Sequence, residues 1–70
     1  MKLGSKEFYE LMETYERYMH LDSSDRENKS IWERGYYYKN GDNDKGFKTF
    51  IAGYQHAKSL ARIDSLILND

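Results

Sequence analysis

The sequence predicts an all-α fold: a small three-helix bundle with short loops, formed as a single domain over residues 1–70. Apolar residues recur at spacings of three and four along most of the chain, which is typical of amphipathic helices. Strand signals are weak, because the 70 residues include no Val and no alternating segment of four or more residues that is rich in β-branched residues. The chain also lacks Pro, so helices can run between the few Ser, Asp, Asn and Gly residues suited to capping.

The first helix is expected over about residues 6–21. Ser5 is a good N-cap, and Glu7 in the first turn complements the positive end of the helix dipole. Spacings of three and four then define one apolar stripe. Its members are Phe8, Leu11, Met12, Tyr15, Tyr18 and Met19.

The second helix is expected over about residues 25–39. Ser24, followed three residues later by Glu27, has the pattern of a capping box. Asn40 and Gly41 are a typical left-handed stop. The expected apolar face consists of Ile31, Trp32, Gly35 and Tyr36, with Tyr38 as a further candidate.

The third helix is expected over about residues 45–68, and any residue of Asp42–Asp44 can cap it. Gly46 and Gly53 each lower the helix propensity by about 1 kcal/mol relative to Ala. Spacings of three and four again define an apolar face. Its members are Phe47, Phe50, Ile51, Tyr54, Ala57, Leu60, Ala61 and Leu66.

Composition excludes several classes of protein. Without Cys, the chain can form neither a disulfide-stapled secreted domain nor a thiolate zinc site. No apolar run approaches the length of a membrane span, and the polar N-terminus lacks the apolar core of a signal peptide. A formal net charge of -1 argues against duplex DNA as the main partner. We therefore expect a cytoplasmic protein with no membrane association.

Little in the sequence points to catalysis or metal binding. His20 and His56 are expected at surface positions, and no Gly-x-Ser-x-Gly elbow is present. The loop from Asn40 to Gly46 is rich in oxygen ligands, but no register of the calcium-loop pattern places its Gly and Glu correctly. We expect no enzyme activity, no catalytic residue, no metal site and no cofactor.

A helix-turn-helix-like DNA-binding regulator is the first alternative function. Two helices joined by a short Gly-containing turn have a compatible order, and Lys48, Gln55 and Arg62 share one face of the third helix. Residues 42–70 nevertheless carry four bases and four acids, whereas a DNA-binding domain normally has a basic stripe. The charge therefore argues against a nucleic-acid partner.

Charge and tyrosines are unevenly distributed, and their distribution favours a protein partner. Residues 1–28 hold seven acids and four bases, whereas residues 29–41 hold three bases and one acid. Three consecutive tyrosines in the second helix cannot all face one core, because successive helical residues are about 100° apart. Exposed Tyr suits binding hot spots, and acids can steer the chain toward a basic surface. The expected partner-binding residues are Tyr37, Tyr38, Glu10, Glu13 and Glu16.

The end of the third helix has more apolar surface than a 70-residue monomer can easily cover. Small domains without disulfides or metals often gain stability by oligomerising. A homodimer or a structural homo-oligomer is therefore the second alternative. The expected oligomer interface consists of Leu60, Ile63, Leu66, Ile67 and Leu68.

Residues 32–62 contain two aromatic-x-x-Gly-aromatic segments, in which Gly would allow the second and third helices to approach closely. The segments are Trp32-x-x-Gly35-Tyr36 and Phe50-x-Ala52-Gly53-Tyr54, followed by Lys58-Ser59-Leu60-Ala61-Arg62. This pattern resembles short accessory proteins encoded by bacteriophages. The resemblance implies a host-takeover or anti-defence role. The leading expectation is a non-enzymatic inhibitor that binds a larger host or bacterial-defence protein and occludes its surface.

Overall fold

The computed structural model describes residues 2–68, with side chains described over residues 2–61. All of its regular elements in that part are helical, so the predicted all-α class is confirmed. Two antiparallel α-helices and a 3-10 helix enclose the core of a small bundle. In chain order the elements are α1 (Lys6–Met19), η1 (Ser23–Asp25), η2 (Lys29–Arg34) and α2 (Gly41–Leu68).

Helix α1 begins where its capping residue predicts. The Ser5 hydroxyl oxygen accepts a hydrogen bond from the Phe8 N–H at 3.2 Å. The helix ends at Met19, and the next residue, His20, has a φ of 55° in the left-handed region. The Leu21 N–H then donates to the Glu16 carbonyl at 2.7 Å, as in a Schellman motif. The helix therefore stops two residues before the predicted end.

The predicted α-helix over residues 25–39 is replaced by two 3-10 helices and an extended stretch. Asp22 and Asn28 each accept a hydrogen bond from the N–H two residues ahead, and each begins a separate 3-10 helix. Gly35, with a φ of 86°, ends η2. Local side-chain caps thus compete with the expected capping box.

Long-range backbone pairing explains why no α-helix continues through this segment. Residues 25–27 and 37–39 run antiparallel, with backbone hydrogen bonds of 2.9 and 2.8 Å around an isolated bridge. These bonds satisfy polar groups that a helix would otherwise pair internally. The third member of the bundle is therefore η2 rather than an α-helix.

Helix α2 begins four residues before the predicted start. The Asn40 side-chain oxygen accepts from the N–H groups of Asp42 and Asn43 at 2.9 and 3.2 Å. Its 28 residues span about 42 Å at a rise of 1.5 Å per residue, close to the longest dimension of the molecule, 47 Å. None of the described helices combines the length and apolar character needed to cross a membrane.

Aromatic rings dominate the core between α1, η2 and α2. Phe8 and Phe47 are fully buried. Their ring centroids lie 5.8 Å apart in an edge-to-face arrangement, and Trp32 lies 5.1 Å from Phe8, within the favourable range for ring pairs. The other buried apolar residues are Leu11, Met12, Tyr15, Tyr38 and Ile51.

The glycines do not have the roles that the repeated segments suggest. Gly35 ends η2, and a Cβ at Gly53 would meet open space. The close approach occurs at Gly46, where a Cβ would overlap the Tyr15 hydroxyl. That hydroxyl donates a hydrogen bond to the Asn43 carbonyl at 3.2 Å. Gly46 therefore lets α1 and α2 pack closely.

Candidate protein-binding surface

Helix α2 divides into a packed half, residues 41–54, and a projecting half, residues 55–68. The packed half lies against α1 and buries Phe47 and Ile51. In the projecting half, every residue from 55 to 61 is exposed. A single helix thus supports the core and extends beyond it.

Glu7 of α1 marks the boundary between these halves. Its carboxylate accepts hydrogen bonds from the Tyr54 hydroxyl at 2.8 Å and from the Lys58 ammonium at 3.0 Å. These two bonds, with Lys58 the larger contributor, lower the pKa of Glu7. The same contact raises the pKa of Tyr54.

Glu16 is buried and holds two side chains from the segment that joins the helices. Its carboxylate accepts hydrogen bonds from the Arg26 guanidinium at 2.6 and 3.0 Å and from the Tyr38 hydroxyl at 2.8 Å. The bond to Glu16 raises the pKa of Arg26. Burial, followed by the bond to Glu16, raises the pKa of Tyr38. The network therefore ties this segment to α1 with a neutral phenol and a charged ion pair.

Asp44 positions the backbone of the tyrosine segment, residues 36–38. One carboxylate oxygen accepts from the N–H groups of Tyr37 and Tyr38 at 2.6 and 3.1 Å, and the other lies 2.8 Å from the Lys48 ammonium. Burial opposes the charge, but Lys48 and the two N–H donors outweigh it and lower the pKa of Asp44. The packed half of α2 thus fixes where the tyrosines lie.

A surface pocket of about 370 Å³ opens between the N-terminal end of α1, the tyrosine segment and α2. This volume is at the lower end of the roughly 300–1,000 Å³ of ligand pockets. Lys48 and Gln55 supply polar groups, and Ala52 also contributes to the wall. The apolar lining consists of Leu3, Phe8, Tyr37 and Ile51.

Tyr36 adds an exposed aromatic ring beside this pocket. It is 55% exposed, and the Lys48 ammonium lies 5.6 Å from its ring centroid, within the range of a cation–π contact. The hydrogen bond to Asp44 raises the pKa of Lys48, so the lysine stays charged. Pocket and ring together form one surface, which we call the tyrosine pocket.

The structure divides the five predicted partner-binding residues into two that are buried and three that are not. Tyr38 is 2% exposed and Glu16 is 6% exposed, because they bond to each other inside the core. They are not accessible to a partner, and the prediction is corrected for both. Tyr37 lines the pocket, and Glu10 and Glu13 are exposed on α1; a partner role for these three stays a prediction.

Sequence reasoning missed most of the tyrosine pocket. It placed Tyr36 on an apolar helical face, whereas the segment is not helical and the side chain is exposed. The contribution of α2 had a detectable signal, because its pocket residues recur at spacings of three, four and seven along one helical side. These residues are Lys48, Ile51, Ala52 and Gln55.

Of the predicted oligomer interface, the structure describes one side chain, that of Leu60. Leu60 is 48% exposed. It follows Ile51 by nine residues, two and a half turns of helix, so it lies on the side of α2 opposite the core. The other side chains of this prediction lie outside the described residues. They are Ile63, Leu66, Ile67 and Leu68.

The predicted second helix, which the DNA-binding alternative paired with the third, is not an α-helix in the structure. The DNA-binding alternative itself stays a prediction. His20 and His56 are exposed, as predicted. Among residues 2–61, whose side chains the structure describes, no cluster of His, Cys, Asp and Glu is arranged to hold a metal ion.

No known protein family, curated protein or solved structure matches this chain.

Proposed function

We propose that this protein is a non-enzymatic protein-binding module. The observation that carries the proposal is the tyrosine pocket, an open surface pocket of about 370 Å³ with apolar and polar lining, beside Tyr36, which is 55% exposed. In the proposed complex, an apolar side chain of a larger protein enters the pocket. The module thereby covers the surface of the partner around that side chain.

The chemistry of the pocket supports a protein side chain as its occupant. Tyr36 and Tyr37 present large, rigid contact areas with polar tips, which are typical of binding hot spots. Asp44 holds the backbone of Tyr37 in place, so little conformational freedom is lost on binding. Gln55 can bond to backbone groups of the partner around the apolar anchor.

Exposed acids on α1 support a basic partner surface. Glu10 and Glu13 lie exposed on α1, whereas Glu7 and Glu16 are held in ion pairs. Exposed acids speed association with a positively charged partner more than they strengthen the final complex. The proposed partner is therefore a larger protein that offers an apolar side chain to the pocket and a separate basic region to the exposed acids of α1, since the charged group of the pocket wall is Lys48.

The resemblance to short bacteriophage accessory proteins supports a finer proposal. On that basis the partner is a host or bacterial-defence protein, and the module acts as an inhibitor by covering a working surface. The resemblance rests on residues 32–62, which contribute much of the tyrosine pocket.

Filling the pocket tests the proposal without disturbing the core. Ala52 is exposed and lines the pocket, so Ala52→Trp should fold normally and occupy the space of the partner side chain. Immobilised wild-type and variant proteins would be compared by quantitative mass spectrometry of proteins captured from bacterial lysate. We expect the variant to lose at least one protein that the wild type retains.

Ala61→Trp is the matched control, because Ala61 is another exposed alanine of α2 that does not line the pocket. It should retain the wild-type partner. Equal capture by all three proteins would remove the pocket as the binding site. Tyr38→Ala is unsuitable as a test, because truncating a buried aromatic destabilises the fold itself.

A further inference from the structure

The α2 wall of the tyrosine pocket changes from cationic to apolar to amide along the helix. Lys48 lies at the end beside Tyr36, and Gln55 lies at the other end. These two residues are about 10.5 Å apart along the helix axis at 1.5 Å per residue. Ile51 and Ala52 lie between them. A ligand of this pocket therefore meets a charged group, an apolar surface and a hydrogen-bonding group in that order.

The neighbours of Lys48 hold its ammonium group at the rim of the pocket. The ammonium lies 2.8 Å from a carboxylate oxygen of Asp44 and 5.6 Å from the centroid of the Tyr36 ring. The Lys48 Cε lies 3.9 Å from the place that a Cβ at Gly35 would take, so the lysine stem runs alongside the turn that ends η2. A lysine that is already positioned loses less side-chain freedom when it binds a ligand.

The positive member of the ion pair between Lys48 and Asp44 is the one that faces solvent. The side chain of Lys48 is 47% exposed, whereas that of Asp44 is 9% exposed. One oxygen of Asp44 accepts from the N–H groups of Tyr37 and Tyr38, and the other faces Lys48. An ammonium group has three donors, and Asp44 faces it with one oxygen. Lys48 therefore retains donors for an anionic ligand.

The rest of the lining does not repel an anion. Among the described residues that line the pocket, none is Asp or Glu. Glu7, near the start of α1, already accepts hydrogen bonds from Tyr54 and Lys58. Hydrogen bonds between an ammonium and a carboxylate are stronger than those between neutral groups. A carboxylate is therefore the charged group that best matches the Lys48 end of the pocket.

The spacing along α2 fits an extended peptide. Side chains on one face of an extended chain repeat every two residues, about 6.6 Å. Ala52 lies about 6 Å beyond Lys48 along the helix axis, so an acid and an apolar residue two positions apart reach both places together. Gln55 is exposed and can bond to backbone groups of the same segment. These groups are available in an extended segment, whereas a helix pairs them internally.

We propose that the partner segment bound by the tyrosine pocket is an extended acidic peptide. Its apolar residue packs on Ile51 and Ala52, and its backbone bonds to Gln55. An Asp or Glu two positions from the apolar residue binds the Lys48 ammonium. The inference rests on the proposed function and names the chemistry of the segment that enters the pocket. The separate basic region of the partner still faces the exposed acids of α1.

Three capped peptides test the proposal. The first, acetyl-Asp-Ser-Leu-Ser-Asp-amide, has an acid two positions from its apolar residue on each side, so both chain directions are covered. The second has Asn in place of both Asp, and the third has Ala in place of Leu. Each is titrated between about 0.1 and about 10 mM, the range of weak binding, into the isotope-labelled full chain. Backbone amide chemical shifts in two-dimensional NMR report where and how tightly it binds.

We expect the first peptide to shift the amide signals of Tyr37, Ala52 and Gln55. It should bind about three- to fivefold more tightly than the Asn peptide, because an exposed charge pair adds a modest amount to affinity. It should also bind more tightly than the Ala peptide, which buries less apolar surface.

Matched lysine variants identify the cation. Lys48→Met should bind the acidic peptide and the Asn peptide equally. Lys58→Met changes a lysine of α2 that does not line the pocket, so it should keep the preference of wild type. Circular dichroism checks the fold of both variants. If Lys48→Met does not fold, the comparison of the peptides on wild type still decides.

Any of three results overturns the proposal: equal affinity of wild type for the acidic and Asn peptides, an acid preference that a folded Lys48→Met variant retains, or no shift of the pocket signals with any peptide. Equal affinity would leave the proposed function intact, because an apolar residue would still fill the pocket. Equal lysate capture by wild type and Ala52→Trp, conversely, would remove the pocket as the binding site whatever the peptides show.

Discussion

The two halves of α2 belong to one continuous helix but have different surroundings. The packed half places Phe47 and Ile51 against α1 and η2 in the core. In the projecting half, all residues from 55 to 61 are exposed, and Leu60 lies on the side opposite Ile51. The difference shows that apolar residues of one helix can lie on different sides, and that among the described residues of α2 those buried in the core are confined to the packed half.

Truncating one large apolar residue in each half tests that difference most strongly. Phe47→Ala leaves a cavity among several rings and should lower the free energy of unfolding by about 3–5 kcal/mol. Leu60→Ala should change it by less than about 0.5 kcal/mol in dilute monomer, because the side chain is half exposed. Urea unfolding followed by circular dichroism measures both. Similar losses in the two variants would show that the projecting half is packed.

Two acids of α1, one buried and one exposed, give a second comparison of core with surface. Glu16→Gln removes the buried negative charge beside Arg26 and replaces one acceptor oxygen with a donor NH2, so it should lower the free energy of unfolding by about 2 kcal/mol or more. Glu13→Gln is the matched control on the exposed face and should change it by less than about 0.5 kcal/mol. Thermal unfolding at neutral pH checks both. An unaffected Glu16→Gln variant would mean that the segment between the helices is not held by this network.

The contribution of an ion pair to folding stability should depend more strongly on pH in the packed half of α2, where Asp44 pairs with Lys48, than in the projecting half, where Lys58 pairs with Glu7. The folded state lowers the pKa of Asp44, so its contribution to stability is present above the unfolded pKa of about 4 and is lost as pH falls through the folded pKa. Asp44→Asn should therefore have a flatter acid limb of unfolding free energy against pH. Glu7→Gln should change that limb less, because Glu7 is more exposed than Asp44. Acid limbs parallel to wild type in both variants would contradict this explanation.

Alanine at the two helical glycines gives the smallest expected effects, and they differ in sign. Gly53→Ala should stabilise the monomer by up to about 1 kcal/mol, because Ala favours helix and its Cβ meets open space. Gly46→Ala should destabilise by about 1 kcal/mol or more, because its Cβ overlaps the Tyr15 hydroxyl. Melting temperatures at low concentration compare them. A stabilising Gly46→Ala would mean that α1 and α2 do not pack closely there.

Most of the candidate site depends on contacts that no local pattern reveals. The pocket combines Leu3, Tyr37 and Gln55, which are far apart in the chain. Glu16 bonds to Tyr38, 22 residues away, so a residue that resembles a surface acid on a helical wheel becomes part of the core. The argument from three consecutive tyrosines assumed a helix that this segment does not form. It named Tyr37, which lines the pocket, but also Tyr38, which is buried.

The sequence by itself determined the all-α class, the Ser5 cap of α1 and the apolar stripe of the packed half. These features depend on spacings and caps within a few residues, and local chain geometry is enough to specify them. Only the tertiary structure decided that residues 25–39 form 3-10 and extended structure, and that Tyr38 is buried while Tyr36 is exposed. The physical reason is that buried polar groups must find partners, and here those partners come from distant parts of the chain.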